Sequence, residues 1–217
     1  MKTQKKEEYL KEKLIQMKTY ENELYGKGIC IVAGVDEVGR GPLAGPVVAA
    51  CVVLPKNFSV LGIDDSKKVP EKKREALYLK IIEEALAFGV GIVDNKIIDE
   101  INILEATKLA MKIAINEVNR KLEGKLEHIL IDALTLKNVA IPQTGIIKGD
   151  TKSVSIAAAS IVAKVIRDKM MREFHLEYPL YAFDRNKGYG TQLHYEGLKK
   201  AGYCDIHRKT FIKQYLA

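Results

Sequence analysis

Four acids stand where the chain changes direction. Asp36 and Glu37 follow the apolar run Cys30-Ile31-Val32-Ala33-Gly34-Val35, Asp132 follows His128-Ile129-Leu130-Ile131, and Asp150 precedes a long helix-forming stretch. Buried strands commonly deliver functional side chains at their carboxyl ends. Taken singly, each acid has an ordinary explanation. Asp150, with Thr151 and Ser153 behind it, suits a helix N-cap, and Asp132 suits the start of a turn. Taken together they suggest different chemistry. Carboxylates that converge in one cleft repel, and one or more must hold its proton unless a cation sits among them. An all-oxygen set without His or Cys suits a hard ion, Mg²⁺ or Mn²⁺, rather than zinc. Neighbouring strand residues point to opposite faces, so Asp36 and Glu37 share a site only if the strand kinks or ends there. Gly39 supplies the means.

The turn Gly39-Arg40-Gly41-Pro42-Leu43-Ala44-Gly45-Pro46 is a second signal. Glycines flanking an arginine let the backbone approach a ligand closely. The turn has neither a GxGxxG pattern nor a Walker lysine followed by Ser or Thr, which argues against a nucleotide-binding loop. A plain hairpin would not need so many special residues.

The elements that must hold these residues follow from periodicity. In residues 1–27, Leu10, Leu14, Met17, Tyr20 and Leu24 recur at helical spacing, ahead of Gly26 and Gly28, and predict an amphipathic helix that packs on the body, with a basic arm as the alternative. Val47–Leu54 reads as a second strand, pairing antiparallel with the first. A helix opens at Pro70 and runs through Leu86. Phe88–Val93 is a third strand, Ile103–Leu122 a long helix, and Gly145–Ile147 a short strand before Asp150. Ile156, Ala159, Ala163, Ile166, Met170 and Phe174 mark one face of a further helix, and Tyr181–Ala217 mixes loop with short helices. Alternating strands and helices make an α/β domain with a mixed sheet.

Composition sets the limits. The chain has 217 residues, 47% apolar and 29% charged, enough for one well-buried globular domain. Lys and Arg number 35 against 28 Asp and Glu. That excess favours a polyanionic partner, although many soluble proteins are as basic. Cys30, Cys51 and Cys204 include no CxxC spacing, which disfavours a disulfide framework or zinc knuckle and suits a reducing cytosol. No apolar run approaches a membrane span, and the N-terminus lacks a leader pattern. The expectation is a cytoplasmic protein away from membranes.

The stretch Val35 to Pro46 closely resembles the signature of type 2 ribonuclease H, bacterial RNase HII. Further blocks match in the family's order: Asp65-Ser66-Lys67-Lys68, Asn102-Ile103-Leu104 with Ala106-Thr107, Leu130-Ile131-Asp132, Lys148-Gly149-Asp150, Ser155 to Lys164, Lys187 to Thr191, and His207-Arg208. The resemblance covers roughly residues 30–211 and implies an RNase H-like α/β fold. It divides the chain into an N-terminal helical extension, 1–27, and a catalytic domain, 28–217. The implied activity is endonucleolytic hydrolysis of the RNA strand of RNA–DNA hybrids, including cleavage 5′ of single ribonucleotides in duplex DNA, leaving 5′-phosphate and 3′-hydroxyl ends. By motif position the resemblance makes Asp36, Glu37, Asp132 and Asp150 the carboxylates that bind two ions, Mg²⁺ or Mn²⁺. Gly39, Arg40 and Gly41 would contact the 2′-OH beside the scissile phosphate, and Tyr189 would stack on the next sugar. A 2′-OH is what separates RNA from DNA at a site. The expected partners are hybrids and ribonucleotide-containing duplexes, with the protein acting as a monomer.

Lys67, Lys68, Lys164 and Arg208 lie in these blocks and are expected at phosphates, although any one lysine could be a solvated surface charge. Asn102 and Ser160 are read as substrate-binding, with buried hydrogen-bonding as the alternative. His194 invites a general-base role, but a surface-helix histidine is the commoner case. Tyr178, Tyr181 and Tyr203 are expected to pack the tail, with stacking on nucleic acid as the alternative. Because every matched motif follows residue 27, the N-terminal segment is expected to be dispensable for chemistry. Two rivals remain. A junction resolvase of the same fold shares metal carboxylates but cuts DNA, and the Gly-Arg-Gly turn with Tyr189 argues against it. A binding protein with a dead site would lack at least one carboxylate, and all four are present. Type 3 ribonuclease H usually carries a whole extra N-terminal domain, for which 1–27 is too short.

Overall fold

A computed structural model describes residues 2–215. Its centre is a five-stranded mixed sheet in the order β3-β2-β1-β4-β5. Strands β1 (Val32–Val38), β2 (Val47–Val53) and β3 (Ala87–Val93) form an antiparallel meander, and β4 (His128–Asp132) and β5 (Gln143–Ile146) add in parallel beyond β1. All seven residues of β2 are buried. This explains its unbroken apolar run: a central strand covered on both faces has no solvent side to alternate toward.

Helices cover both faces. On one side α4 (Asn95–Lys121) packs Ala106, Ala110, Met111, Ala114 and Val118 against Val35, Ala49, Cys51 and Val53. On the other, α5 (Val154–Glu177) packs Ala157, Ala158, Ile161 and Val162 against Val48, Ala50 and Val52, with α3 (Glu71–Glu84) alongside. Contact between α5 and the sheet is closest at Gly34, where a Cβ would lie 2.0 Å from the Ser155 carbonyl carbon. Only glycine permits that approach, and it brings the start of α5 over β1, two residues from Asp36.

The tail, with α6 (Phe183–Asn186) and α7 (Gln192–Ala201), forms a third cluster. Tyr181, Phe183, Leu198, Ile206 and Ile212 close around Ala44 and Met171, so the tail packs onto the glycine-rich turn. The predicted N-terminal helix is two helices, α1 (Lys2–Met17) and α2 (Thr19–Gly26), and Met17 reaches the main core. Helix α4 also departs from expectation. It begins at Asn95, with Asp94 as its cap, and is interrupted at Asn102 (φ 67°, ψ 164°), whose side-chain oxygen accepts from the backbone N–H groups of Leu104 and Glu105. The sequence reading from Ile103 found the second segment and missed the first. No described helix is long and apolar enough to cross a membrane.

Candidate active site

Register places the first two acids side by side. In the parallel pairing of β1 with β4, Val35 faces Ile131, so Asp36 and Asp132 follow side by side, Asp132 at the carboxyl end of β4 and Asp36 two residues before that of β1. Both occupy the α5 face, since Val32 and Leu130, at even spacing from them, meet Ile156 there. The strand does not end at Asp36, one of the two routes (a kink or an end) by which the sequence reading lets Asp36 and Glu37 share a site. It continues through Val38, which pairs with Val48, and the reversal comes at Gly39 (φ 96°). Glu37 therefore lies at the open end of the sheet, lining a cleft of about 250 Å³ with Gly39, Arg40, Gly41, Ser66, Lys67, Ser160 and Tyr189.

The acids affect one another strongly. Asp36 is 5% exposed. Burial first, then the charges of Glu37 and Asp132, push its carboxyl well above the usual carboxylate range, opposed by hydrogen bonds from Ser160 and the Glu37 backbone. Burial also raises Glu37, countered by Arg40, whose guanidinium lies 3.4 Å away. Asp150 is raised by burial, then by Asp65 and Asp132, and drawn back by Lys67 and Lys68. Asp132 thus interacts with all three other acids. Among the described residues, no three acidic, His or Cys side chains close around one point as they stand. Several are turned to other partners: Asp36 Oδ1 accepts from Glu37 N (2.7 Å), Asp132 Oδ1 from Gly149 N (2.7 Å), and Glu37 Oε1 faces Arg40. A cluster of like charges spreads in this way, and the all-oxygen donor set with mutually raised carboxyls fits a hard divalent cation. Asp150 is not a helix cap. That role belongs to Ser153, whose hydroxyl accepts from Ile156 N, leaving the Asp150 carboxylate for the site.

The glycine turn and Tyr189 come together. A Cβ on Gly41 would lie 3.5 Å from the Tyr189 ring, and the ring is 40% exposed. Two buried arginines hold the turn from behind. Arg208 donates to the carbonyls of Gly39 (2.6 Å), Arg40 (3.0 Å) and Gly45 (2.8 and 2.9 Å). Arg167 donates to Pro46, Ala44 and Lys187. A Cβ on Gly39 would meet Arg167 Nε at 2.3 Å, so glycine is required there by space as well as by φ.

Several sequence expectations change on this structure. Arg208 is not a phosphate contact: it is fully buried and its guanidinium is committed to backbone carbonyls. Lys164 is half-buried and paired with Asp168 at 2.7 Å, within a buried network that includes Arg74, so it does not present a free charge. Asn102 is exposed and caps a helix segment, lining a separate groove with Asp99, Thr210 and Phe211 rather than the acid cleft. Ser160 does belong to the cleft, buried and hydrogen-bonded to Ser66 at 2.9 Å. Lys67 and Lys68 are exposed and close enough to act on the acids. His194 is no surface histidine. It is fully buried, Nδ1 2.9 Å from the Tyr189 carbonyl oxygen and Nε2 2.9 Å from His207 Nε2. Tyr181 packs in the tail against Phe183, while Tyr203 is exposed beneath Lys209.

Sequence reasoning missed Asp65 beside Asp150, and the Arg167 anchor. Asp65 opens the block Asp65-Ser66-Lys67-Lys68, in which the adjacent lysines carry the stronger sequence signal. Arg167 carried no signal, because one arginine in a helical run reads as a surface charge.

The family model for ribonuclease HII matches residues 33–214. The chain belongs to the ribonuclease HII family. It is 57% identical over 201 residues to the ribonuclease HII of Caldanaerobacter subterraneus subsp. tengcongensis, spanning 93% of this chain and 82% of that relative. Among solved structures it is similar to ribonuclease H2 from Pyrococcus horikoshii OT3, at 29% identity and a TM-score of 0.69, over 85% of this chain and 96% of the other. It also shares its fold with Bst-RNase HIII, crystallised with Mn²⁺, at 20% identity and a TM-score of 0.61, over 80% and 70% of the two chains. Ribonuclease HII membership accounts for the RNase H-like sheet.

Proposed function

We propose that the cleft at the carboxyl ends of β1 and β4 cuts the RNA strand of RNA–DNA hybrids, with Asp36, Glu37, Asp132 and Asp150 holding two divalent ions, Mg²⁺ or Mn²⁺. The observation that carries this reading is Glu37 lining one cleft with the Gly39–Gly41 turn and Tyr189, while Asp132 couples electrostatically to Asp36, Glu37 and Asp150. Membership in the ribonuclease HII family makes the chain a metal-dependent endonuclease acting on such hybrids.

Divalent ions held by these four carboxylates would supply water activation and charge neutralisation at the leaving 3′-oxygen. The chain's own groups do the rest. Asp36 and Asp132, adjacent in register, give the site two rigidly mounted carboxylates. Burial of Asp36 keeps its oxygens in a region of low dielectric, where attraction to a cation is strong. The Gly39–Gly41 backbone, held from behind by Arg208 while Arg167 anchors Ala44 and Pro46 further along the turn, offers polar groups to a 2′-OH with no Cβ in the way at either glycine. Tyr189 stacks on the following deoxyribose, whose missing hydroxyl leaves an apolar face. Lys67 and Lys68 hold backbone phosphates at the rim. On this reading residues 28–217 are the catalytic domain, residues 1–27 an extension, and the protein acts as a monomer in the cytoplasm.

The test is cleavage of a labelled DNA duplex containing one ribonucleotide, in Mg²⁺, Mn²⁺ or EDTA. Cleavage 5′ of the ribonucleotide, leaving a 3′-hydroxyl and dependent on the metal, is expected. Equal cleavage of an all-DNA duplex would favour the resolvase-like alternative.

A further inference from the structure

The N-terminal helices lie outside the residues matched to the family, yet one of their side chains reaches the segment that carries Asp150. Glu21 of α2 is 2% exposed. Its Oε1 accepts from the Ser153 hydroxyl at 2.6 Å and from the Ser155 backbone N–H at 3.0 Å. Ser153 is the cap of α5, and its own N–H donates to the Gly149 carbonyl at 2.8 Å. Gly149 N in turn donates to Asp132 Oδ1 at 2.7 Å. Asp150 sits inside this chain of bonds, in a single 3₁₀ turn, Gly149–Thr151, between Asp132 on one side and Glu21 on the other. A second tie runs from the same helices: Lys13 pairs with Asp64, next to Asp65, which flanks Asp150.

We propose that Glu21 is a positioning residue for Asp150, fixing the turn that presents this carboxylate to Asp132 and the metal site. Three features favour positioning over simple packing. The second oxygen of Glu21 is buried without a hydrogen-bond partner among the described residues, an arrangement that costs stability. Packing alone would be served by an apolar side chain, as Met17 shows one turn earlier. The 3₁₀ turn is also short, entered through Lys148 in the left-handed region (φ 56°), so its orientation depends on ties at its two ends. A carboxylate at the first turn of α5 further suits the helix dipole.

The inference rests on the reading of Asp150 as a metal ligand, and the full-length chain separates the two. Mn²⁺ binding would be measured by electron paramagnetic resonance on the complex with a non-cleavable hybrid, alongside hydrogen exchange at the Ser155 and Ile156 amides and steady-state cleavage. Glu21→Ala is expected to speed exchange at both amides, weaken Mn²⁺ binding by about 3- to 30-fold and lower kcat, with KM for the hybrid unchanged. Glu21→Gln keeps an acceptor oxygen for Ser153 and Ser155 and should restore all three readouts to within about 3-fold of wild type. Ser153→Ala cuts the same link from the body of the protein and carries the same expectation should Glu21→Ala fail to fold. A folded Glu21→Ala with wild-type Mn²⁺ binding and kcat overturns the proposal. So does a change confined to KM, which would place the N-terminal helices against the substrate instead. Wild-type Mn²⁺ binding in Asp150→Asn would remove Asp150 from the metal site, and the role of Glu21 with it. Weak binding in Asp150→Asn with normal binding in Glu21→Ala would overturn the Glu21 assignment alone.

Discussion

Arg208→Ala separates a scaffold role from substrate contact most cleanly. The guanidinium makes four hydrogen bonds to the carbonyls of Gly39, Arg40 and Gly45, and the side chain is fully buried. Truncation leaves those three carbonyls without this donor. Each buried unsatisfied group costs about 1–3 kcal/mol, so the simple sum is roughly 3–9 kcal/mol. Water entering the vacated space and relaxation of the exposed Arg40 and Gly41 reduce this to about 3–5 kcal/mol, a large share of the roughly 5–15 kcal/mol of a typical domain. At about 2–4 °C per kcal/mol for a chain of this size, thermal unfolding should shift down by roughly 6–20 °C. Arg208→Lys should recover only part of the loss, because one ammonium cannot reach three carbonyls in the plane of a fork. The assays are thermal and urea unfolding together with hybrid affinity across a salt series. The salt slope should stay at the wild-type value. Stability within about 1 kcal/mol of wild type, with a slope flattened by about one counterion, would refute the scaffold role and return Arg208 to the phosphates.

Further expectations follow from the same geometry. Replacing Lys67 and Lys68 together by Ala should weaken hybrid binding and flatten its salt dependence by about one to two counterions, and an unchanged slope would make both plain surface charges. Tyr189→Ala should slow cleavage at a single embedded ribonucleotide by roughly 5- to 150-fold, corresponding to a stacking contact of about 1–3 kcal/mol, while leaving Mn²⁺ binding intact; a wild-type rate would end the stacking assignment. Burial, then neighbouring His194, depress His207 to about 4. The unfolded chain therefore binds the extra proton between about pH 6.5 and 4, and the contribution of this group is complete above pH 6.5 and declines as pH falls through that window. Its resonances should stay neutral down to about pH 5, with about 1–2 kcal/mol of its contribution lost between pH 7 and 5. A His207 titrating near 6.5 would contradict that burial argument.

Much of the fold was legible because its signals are local. The buried strands β1, β2 and β4 are apolar runs bounded by glycine, proline or acids, and α5 shows its packing face through a helical repeat of small residues. The segment Asn95–Ile101 was not legible, because Asn102 interrupts the periodicity that would have joined it to the rest of α4. Asp36 and Asp132 were each legible as an acid after a buried apolar run, and the parallel register of β1 and β4 sets the two side by side. The groups behind them were not legible. Arg208 and Arg167 look like any basic residue until their guanidinium groups are seen among carbonyls, and Glu21 looks like any charge on an amphipathic helix until α5 is laid against it. Such roles depend on contacts across more than 100 positions of sequence, which no local pattern records.

The most direct test of the four-acid site is the rate at which Asp36→Asn cuts the RNA strand of a labelled RNA–DNA hybrid at saturating Mg²⁺ or Mn²⁺. Wild type should cleave and stop on addition of EDTA, whereas Asp36→Asn should bind the hybrid with near wild-type affinity and leave it uncut. Turnover by Asp36→Asn at the wild-type rate would contradict the assignment of the cleft as the metal-dependent active site.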